Sequence, residues 1–184
     1  MPTSIATRLE QLRQWLAAEQ LEAWIVSTSD EHLNEYVPDH KQRLAALTGF
    51  SGSLGTAVIL RESRPQLFVD SRYHLQAEQS CGALFDIQKQ GNSGVLDPHG
   101  GLAEQPGSRR MGADPFVTAP RTWRRFAKAL IGTAHTLTAV HPNPADTICT
   151  DRPAPLCNPI YPLGVEFTGK STAQKLEELR TAMQ

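Results

Sequence analysis

The chain has 184 residues, 40% of them hydrophobic, and a formal net charge of −1. That length buries one sizeable core and is crowded for two, and near-neutrality excludes a long-range field that would recruit nucleic acid or an anionic membrane surface. Cys81, Cys149 and Cys157 are odd in number and lack C-x-x-C spacing, which argues against a disulfide framework and a zinc knuckle and fits a reducing cytoplasm.

Thr3 or Ser4 can cap a first helix in which Ile5, Leu9, Leu12 and Leu16 share an apolar face while Arg8, Glu10, Arg13 and Glu19 face water. It should end near Gln20. Leu21–Ser27 follows as a strand, and Ser29-Asp30 then offers capping chemistry to the segment holding Glu31, His32, Glu35 and Tyr36, which Pro38 closes. Arg43–Leu47 reads as a short helical turn. Gly55–Leu60 and Gln66–Asp70 read as a hairpin of two apolar strands at the sheet centre.

Tyr73–Ser80 should be helical, and Phe85–Lys89 and Arg110–Asp114 should be further strands. Gly91 to Ser108, rich in glycine and proline and weak in periodicity, reads as a surface loop. Pro120 suits the first turn of a helix running to Ile131, with Gly132 as its stop, and Leu137–His141 is a last strand. Helix and strand patterns alternate, so the fold class is α/β, a mixed β-sheet flanked by helices. No internal repeat is visible.

Six of the thirteen prolines lie between Pro142 and Pro162, which implies an extended, semi-rigid connector at a domain edge. Beyond it, Ser171-Thr-Ala-Gln174 is a capping-box pattern that opens a helix with an apolar stripe of Leu176, Leu179 and Met183. A stripe of that kind needs a partner. The expectation is therefore a fragment of a longer protein.

No apolar run reaches the roughly 20 residues of a membrane span. The first residues, Met1-Pro-Thr-Ser-Ile5, have neither the basic nor the apolar region of a signal peptide. The chain reads as soluble, unexported and cytoplasmic.

Two blocks carry the motifs. The first, Leu47–Ile59, sets Gly49, Gly52 and Gly55 around Phe50, Ser51 and Ser53 and runs into an apolar strand, so its backbone must turn sharply before a buried element. It lacks the Lys-Ser/Thr ending of a P-loop and precedes a strand where a dinucleotide fingerprint would open a helix. It also fails as a nucleophile elbow, because Ser53 stands where the last glycine should be, which leaves Ser51 as a turn residue.

The second block, Gln66–Ala77, places Asp70-Ser-Arg-Tyr73 where a strand passes into a helix. Asp70 or Ser71 can cap that helix. The guanidinium of Arg72 stays charged at any working pH and offers a planar fork to a carboxylate or carbonyl, unless an internal salt bridge to Asp30, Glu31 or Glu35 consumes it. Asp30, Glu31, His32 and Glu35 are the densest set of potential metal ligands, but no recognised spacing backs them, and a solvated helix face is the reading adopted. His40, His74, His99, His135 and His141 are scattered, and Trp15, Trp24 and Trp123 fall on elements where they would pack.

As G-F-x-G-S-x-G and D-x-R-Y-x-x-Q-A, the two blocks resemble the amino-terminal domain of the creatinase and aminopeptidase P family, most closely the three-domain cytosolic Xaa-Pro aminopeptidases. Gly49, Phe50, Gly52, Ser53, Gly55, Asp70 and Tyr73 carry the likeness. Ser29-Asp30 with His32 and Glu35-Tyr36 is similar to the family's first motif, and Gly112-Ala-Asp-Pro115 to a later strand. Thr150-Asp-Arg-Pro153, followed by Leu163-Gly164 and Thr168-Gly169, resembles the junction into a second domain.

The resemblance implies a parent metallopeptidase, a hydrolase that removes the residue preceding a second-position proline. It implies a dinuclear manganese or similar divalent metal site in a catalytic domain outside this chain, and no cofactor or catalytic residue within it. It also places Arg72, His32 and Tyr36 on the side facing the substrate cleft. The implied partners are the peptide substrate and the parent's own middle and catalytic domains, with the parent a homodimer. The expected divisions are an amino-terminal domain over 1–152, a linker over 153–170 and the first helix of a second domain over 171–184. Two alternatives stay open: a free-standing α/β interaction module, and the same domain from a prolidase or creatinase-type hydrolase.

Overall fold

The computed structural model describes residues 3–107 and 109–184. Met1 and Pro2, at the start of the expected first domain, and Ser108, at the end of the expected 91–108 loop, lie outside the described residues. The chain divides into two compact units, Met1–Ala154 and Pro155–Gln184.

In the first unit, the helix α1 (Ile5–Ala18) begins where Ser4 accepts a hydrogen bond from the Thr7 amide. Leu9, Leu12 and Leu16 are buried along one stripe, as their spacing predicts. Arg8 was expected to face water and does not. It is buried because its guanidinium donates to the carbonyl of Ala46 and to both carboxylate oxygens of Asp151, at 2.7 and 2.6 Å.

Six strands form one sheet in the order β4-β3-β2-β1-β5-β6: β1 Ala23–Ser27, β2 Gly55–Leu60, β3 Gln66–Val69, β4 Asp86–Lys89, β5 Arg110–Ala113 and β6 Thr136–Ala139. The β1–β2 and β2–β3 pairs are antiparallel; β3–β4, β1–β5 and β5–β6 are parallel. Helices cover both faces, so the central strands are apolar at nearly every position. Trp24, Val26, Ala57, Ile59, Leu67 and Val69 point to one layer, with α1, α2 (Arg43–Thr48), α3 (His74–Cys81) and α6 (Pro144–Ile148). Ile25, Val58, Leu60 and Phe68 point to the other, with α4 (Pro98–Ala103) and α5 (Pro120–Ala129).

Three expectations need correction. The stretch read as a loop over 91–108 contains α4. Gly100 and Gly101 mask its helical character, but Asp97 caps it by accepting from the Gly100 amide, Pro98 opens its first turn, and Leu102 is buried. A Cβ on Gly101 would lie 2.9 Å from the Phe68 ring, so glycine is what lets this helix sit close to the sheet.

The proline-rich segment is not extended throughout. Asn143 accepts from the Ala145 amide and Pro144 starts α6, whose Ala145 is buried along with Cys149 at its end. The continuous extended stretch covers 153–164. Residues 29–36, read as a helix face, form turns. There the buried Asp30 carboxylate accepts from the His32 and Asn34 amides and from Asn34 Nδ2, at 3.0, 3.0 and 2.8 Å, which folds the segment around it.

The second unit holds α7 (Val165–Thr168) and α8 (Thr172–Ala182). The capping box is formed on both sides: Ser171 Oγ accepts from the Gln174 amide and Gln174 Oε1 accepts from the Ser171 amide. Leu176, Leu179 and Met183 are exposed.

Candidate functional site

The sheet topology gathers the motif residues at one end. Because β1 and β3 both run antiparallel to β2, the carboxyl ends of β1 and β3 flank the start of β2, and the carboxyl ends of β5 and β6 share that edge. Open α/β sheets bind ligands beyond the carboxyl ends of their strands, where strand order switches direction.

The glycine loop is a seat for one aromatic ring. Helix α2 ends at Gly49, whose φ of 80° is a left-handed conformation suited to glycine. Thr48 Oγ1 accepts from the Phe50 amide at 3.0 Å, and the Phe50 side chain is 1% exposed. A Cβ on Gly52 would lie 2.3 Å from Phe50 Cζ, and one on Gly55 would lie 2.7 Å from Cε1. Both glycines are therefore dictated by the ring beneath them.

The two motif blocks are bonded to each other. Ser53 Oγ and the Tyr73 hydroxyl are 2.8 Å apart, Gln76 Nε2 donates to Ser51 Oγ at 3.0 Å, and the Phe50 and Tyr73 rings meet edge-on at 5.5 Å. Hydrogen bonding to Ser53, with a smaller contribution from the Arg72 charge, holds the Tyr73 phenol below its usual range. Two stretches read separately in the sequence are one structure.

Asp70 caps the turn Ser71–Tyr73 by accepting from the Arg72 amide at 3.0 Å, as expected. The same carboxylate takes the Arg72 side chain at 2.7 Å, so the ion-pair partner of Arg72 is Asp70 and not Asp30, Glu31 or Glu35. Arg72's hydrogen bonds hold the Asp70 carboxyl below its usual range. The Arg72 side chain remains 59% exposed, its guanidinium 5.2 Å from the Tyr73 ring centroid. A fork steadied on one side and open on the other can still meet a carbonyl or carboxylate.

Tyr36, 84% exposed, borders a cavity of about 160 Å³ together with Thr28, Glu35, Arg43 and Phe50. Neither His32 nor Arg72 lines that cavity. Thus Tyr36 sits beside the glycine loop, Arg72 reaches the loop through Tyr73 and Ser53, and His32 is exposed on the 29–36 turns.

The Asp30–Glu35 set does not converge on a metal. Asp30 is occupied by amides, and Glu31 pairs with Lys41 at 2.9 Å and Arg43 at 2.7 Å. Burial alone would raise the Glu31 pKa, but these hydrogen bonds prevail and hold it at about 2. Among the described residues no group of three His, Cys, Asp or Glu side chains is placed to hold a metal ion, so these residues do not fit a catalytic metal. Burial pushes the thiols of Cys81 and Cys149 up, away from nucleophilic character.

The ion network around Arg43 is not predicted by the sequence. Arg43, its side chain 5% exposed, grips Asp146 through Nε at 2.8 Å and Glu31 through Nη2 at 2.7 Å. Arg152 also reaches Asp146 and donates to the His40 carbonyl. Asp151 and Arg152 of the Thr150–Pro153 motif therefore fasten the end of the first unit to α1, to α6 and to the turn at His40 that precedes α2. A third knot closes the β5 and β6 ends: buried Asp114 accepts from the Phe116 amide at 3.0 Å and from Asn143 Nδ2 at 3.1 Å, with His141 Nδ1 at 3.3 Å.

The sequence model of a family described as the Creatinase/Prolidase N-terminal domain matches residues 8–149. Human Xaa-Pro aminopeptidase 2 is 35% identical over 178 residues, which is 96% of this chain and 26% of that protein. A probable Xaa-Pro aminopeptidase P of Coprinopsis cinerea is 30% identical over 94% of this chain and 28% of its own length. The chain spans about a quarter of the length of the curated relatives it matches.

Among solved structures, an X-prolyl aminopeptidase from Caenorhabditis elegans, described as a cytosolic enzyme with a di-nuclear active site, superposes with a TM-score of 0.86 at 26% identity, over 98% of this chain and 31% of that one. The N-terminal domain of a putative metallopeptidase from Corynebacterium diphtheriae shares the fold, with a TM-score of 0.60 at 20% identity over 75% of this chain and 97% of its own. Among the described residues no helix is long and apolar enough to cross a membrane.

Proposed function

The chain belongs to the creatinase/prolidase N-terminal domain family, and from that premise we propose that it is the non-catalytic amino-terminal domain of a metal-dependent Xaa-Pro aminopeptidase. The parent enzyme removes the first residue of peptides with proline in second position. One observation carries the reading: the superposition on the worm X-prolyl aminopeptidase takes in 98% of the chain, whereas the isolated N-terminal domains of the Corynebacterium diphtheriae and Mycobacterium tuberculosis peptidases cover 75% and 77% of it. A match reaching past the compact domain favours a parent with further domains over a prolidase-type relative or a free-standing module.

In this reading residues 1–152 are the accessory domain, 153–170 its connector, and 171–184 the first helix of the next domain. The break between compact units at Ala154 and Pro155 supports the first of these boundaries, while α7 and α8 share the second unit. The parent is a cytoplasmic homodimer, in line with the worm relative's description as cytosolic. A dinuclear metal pair in the catalytic domain would activate the attacking water.

The residues of this chain contribute a wall and a fixed charge. Asp70 steadies the Arg72 fork at a strand end, where it orients a peptide carbonyl or terminus. Tyr36 and, farther out, His32 extend the same edge. Purified chain should fold, bind no catalytic manganese and leave Xaa-Pro peptides uncut; turnover by material free of contaminating peptidase would refute the reading. In the full-length parent, Arg72→Gln should lower kcat/KM about tenfold, as loss of a charge-assisted hydrogen bond does, with an unchanged melting temperature. Unaltered kinetics would remove Arg72 from the wall.

A further inference from the structure

The outer face of α5 concentrates cations that have no partner among the described residues. The helix reads Pro-Arg-Thr-Trp-Arg-Arg-Phe-Ala-Lys-Ala and contains no acidic residue. Arg121, Arg124, Arg125 and Lys128 follow i, i+3, i+4, i+7 spacing, so they share one face, and all four are exposed. Among the described residues none of their side chains has a hydrogen-bond or ion-pair partner. Arg8, Arg43, Arg61, Arg64, Arg72 and Arg152 are each paired with a carboxylate. Four cations within about 10 Å of helix, at about 1.5 Å rise per residue, repel one another, and among the described residues no carboxylate pairs with any of them.

We propose that this face docks a short carboxylate-rich protein segment. Guanidinium forks pair bidentately with carboxylates, and three of the four cations are arginines. An extended acidic chain rises about 3.3 Å per residue, so three or four residues of it match the length of the patch.

Two other polyanions fit less well. The apolar side of α5 is already used, with Phe126 and Leu130 buried and Trp123 packed on the same cluster, so the helix cannot embed in a bilayer. Setting the four cations aside from the formal charge of −1 leaves −5. A bilayer or nucleic acid reaching beyond the patch would therefore meet a net-anionic protein. Even one nucleic-acid-binding module buries roughly 600–1,000 Å², more than one short helix face presents. The overall charge conceals this separation because it sums over the whole surface.

The test is fluorescence anisotropy of a labelled hexaglutamate peptide with the intact chain. Binding should appear at about 25 mM salt and weaken about tenfold by about 200 mM, as screening requires. The variant R121Q/R124Q/R125Q/K128Q, changed only at exposed positions, should bind at least about tenfold more weakly with an unchanged melting temperature. R121K/R124K/R125K, which keeps the charge and loses the forks, should fall between; it also carries the test should the first variant misfold. Absence of binding at low salt, equal binding by the variants, or tighter binding of phosphatidylserine vesicles or a DNA duplex than of the peptide would each overturn the proposal.

Discussion

Residues 142–152 and residues 153–164 both carry prolines, and they fare in opposite ways. The first stretch folds into α6, buries Ala145 and Cys149, and spends Asp146 on Arg43 and Arg152 and Asp151 on Arg8. The second is extended, with Leu156, Ile160 and Tyr161 exposed. Proline excludes helix interiors but is welcome in a first turn, as at Pro144. What separates domain from connector here is that 142–152 carries Asp146 and Asp151 for arginines of the folded unit to grip, whereas 153–164 has no carboxylate at all.

The sharpest way to break this contrast is Arg43→Met. It removes the shared partner of Glu31 and Asp146, which keep only Lys41 and Arg152, and loss of charge-assisted hydrogen bonds of this kind costs about 1.5–3 kcal/mol. The thermal midpoint should fall by about 5–10 °C, and limited proteolysis should then cut within 142–152 as well as in the exposed connector. An unchanged midpoint would show that α6 is held by apolar contact alone.

Acid should erode the same network. The Glu31, Asp146 and Asp151 carboxyls are held below their usual values: burial acts to raise them, but hydrogen bonds and arginine charges prevail. Groups with depressed folded-state values stabilise above their unfolded pKa and lose that contribution as pH falls through the folded value. Stability should therefore decline from about pH 4.5 toward pH 2, the interval set by Glu31. A denaturant midpoint that is flat across it would contradict the network's role.

A packing change of intermediate size gives a scale for these effects. Gly52→Ala forces the buried Phe50 ring aside and should cost about 1–3 kcal/mol, read as a lower urea midpoint. Gly91→Ala, at a site with open space around it, should cost less, and only through its positive φ. The smallest effects belong to the connector: Leu156→Ser and Ile160→Ser should each shift stability by no more than about 0.5 kcal/mol. A larger loss would mean that this stretch is packed in solution.

The elements were legible where local chemistry is decisive. Ser4, Asp70 and Ser171 cap as their positions imply, and the β2–β3 hairpin follows its two apolar runs. Helix α4 was obscured because glycine is a poor helix former, and the reason it is tolerated, the Phe68 ring beneath Gly101, is far away in sequence. Arg8 reads as a surface cation because its partner Asp151 lies 143 positions along the chain, and the pairing of Arg43 with Asp146, 103 positions away, leaves no local trace either. The motif blocks were recognised as a pair, but their bond through Ser53 and Tyr73 was not foreseeable from either.

The sequence by itself determined the α/β class, the two motif blocks and the capped terminal helix, since each rests on propensities and spacings within a few residues. Only the tertiary structure decided that Asp70 rather than a distant acid holds Arg72, that the glycines seat Phe50, and that the Asp-Arg pair at 151 and 152 fastens the domain shut. Those outcomes depend on which side chains a folded backbone brings within about 3 Å of each other, and no local pattern encodes that distance.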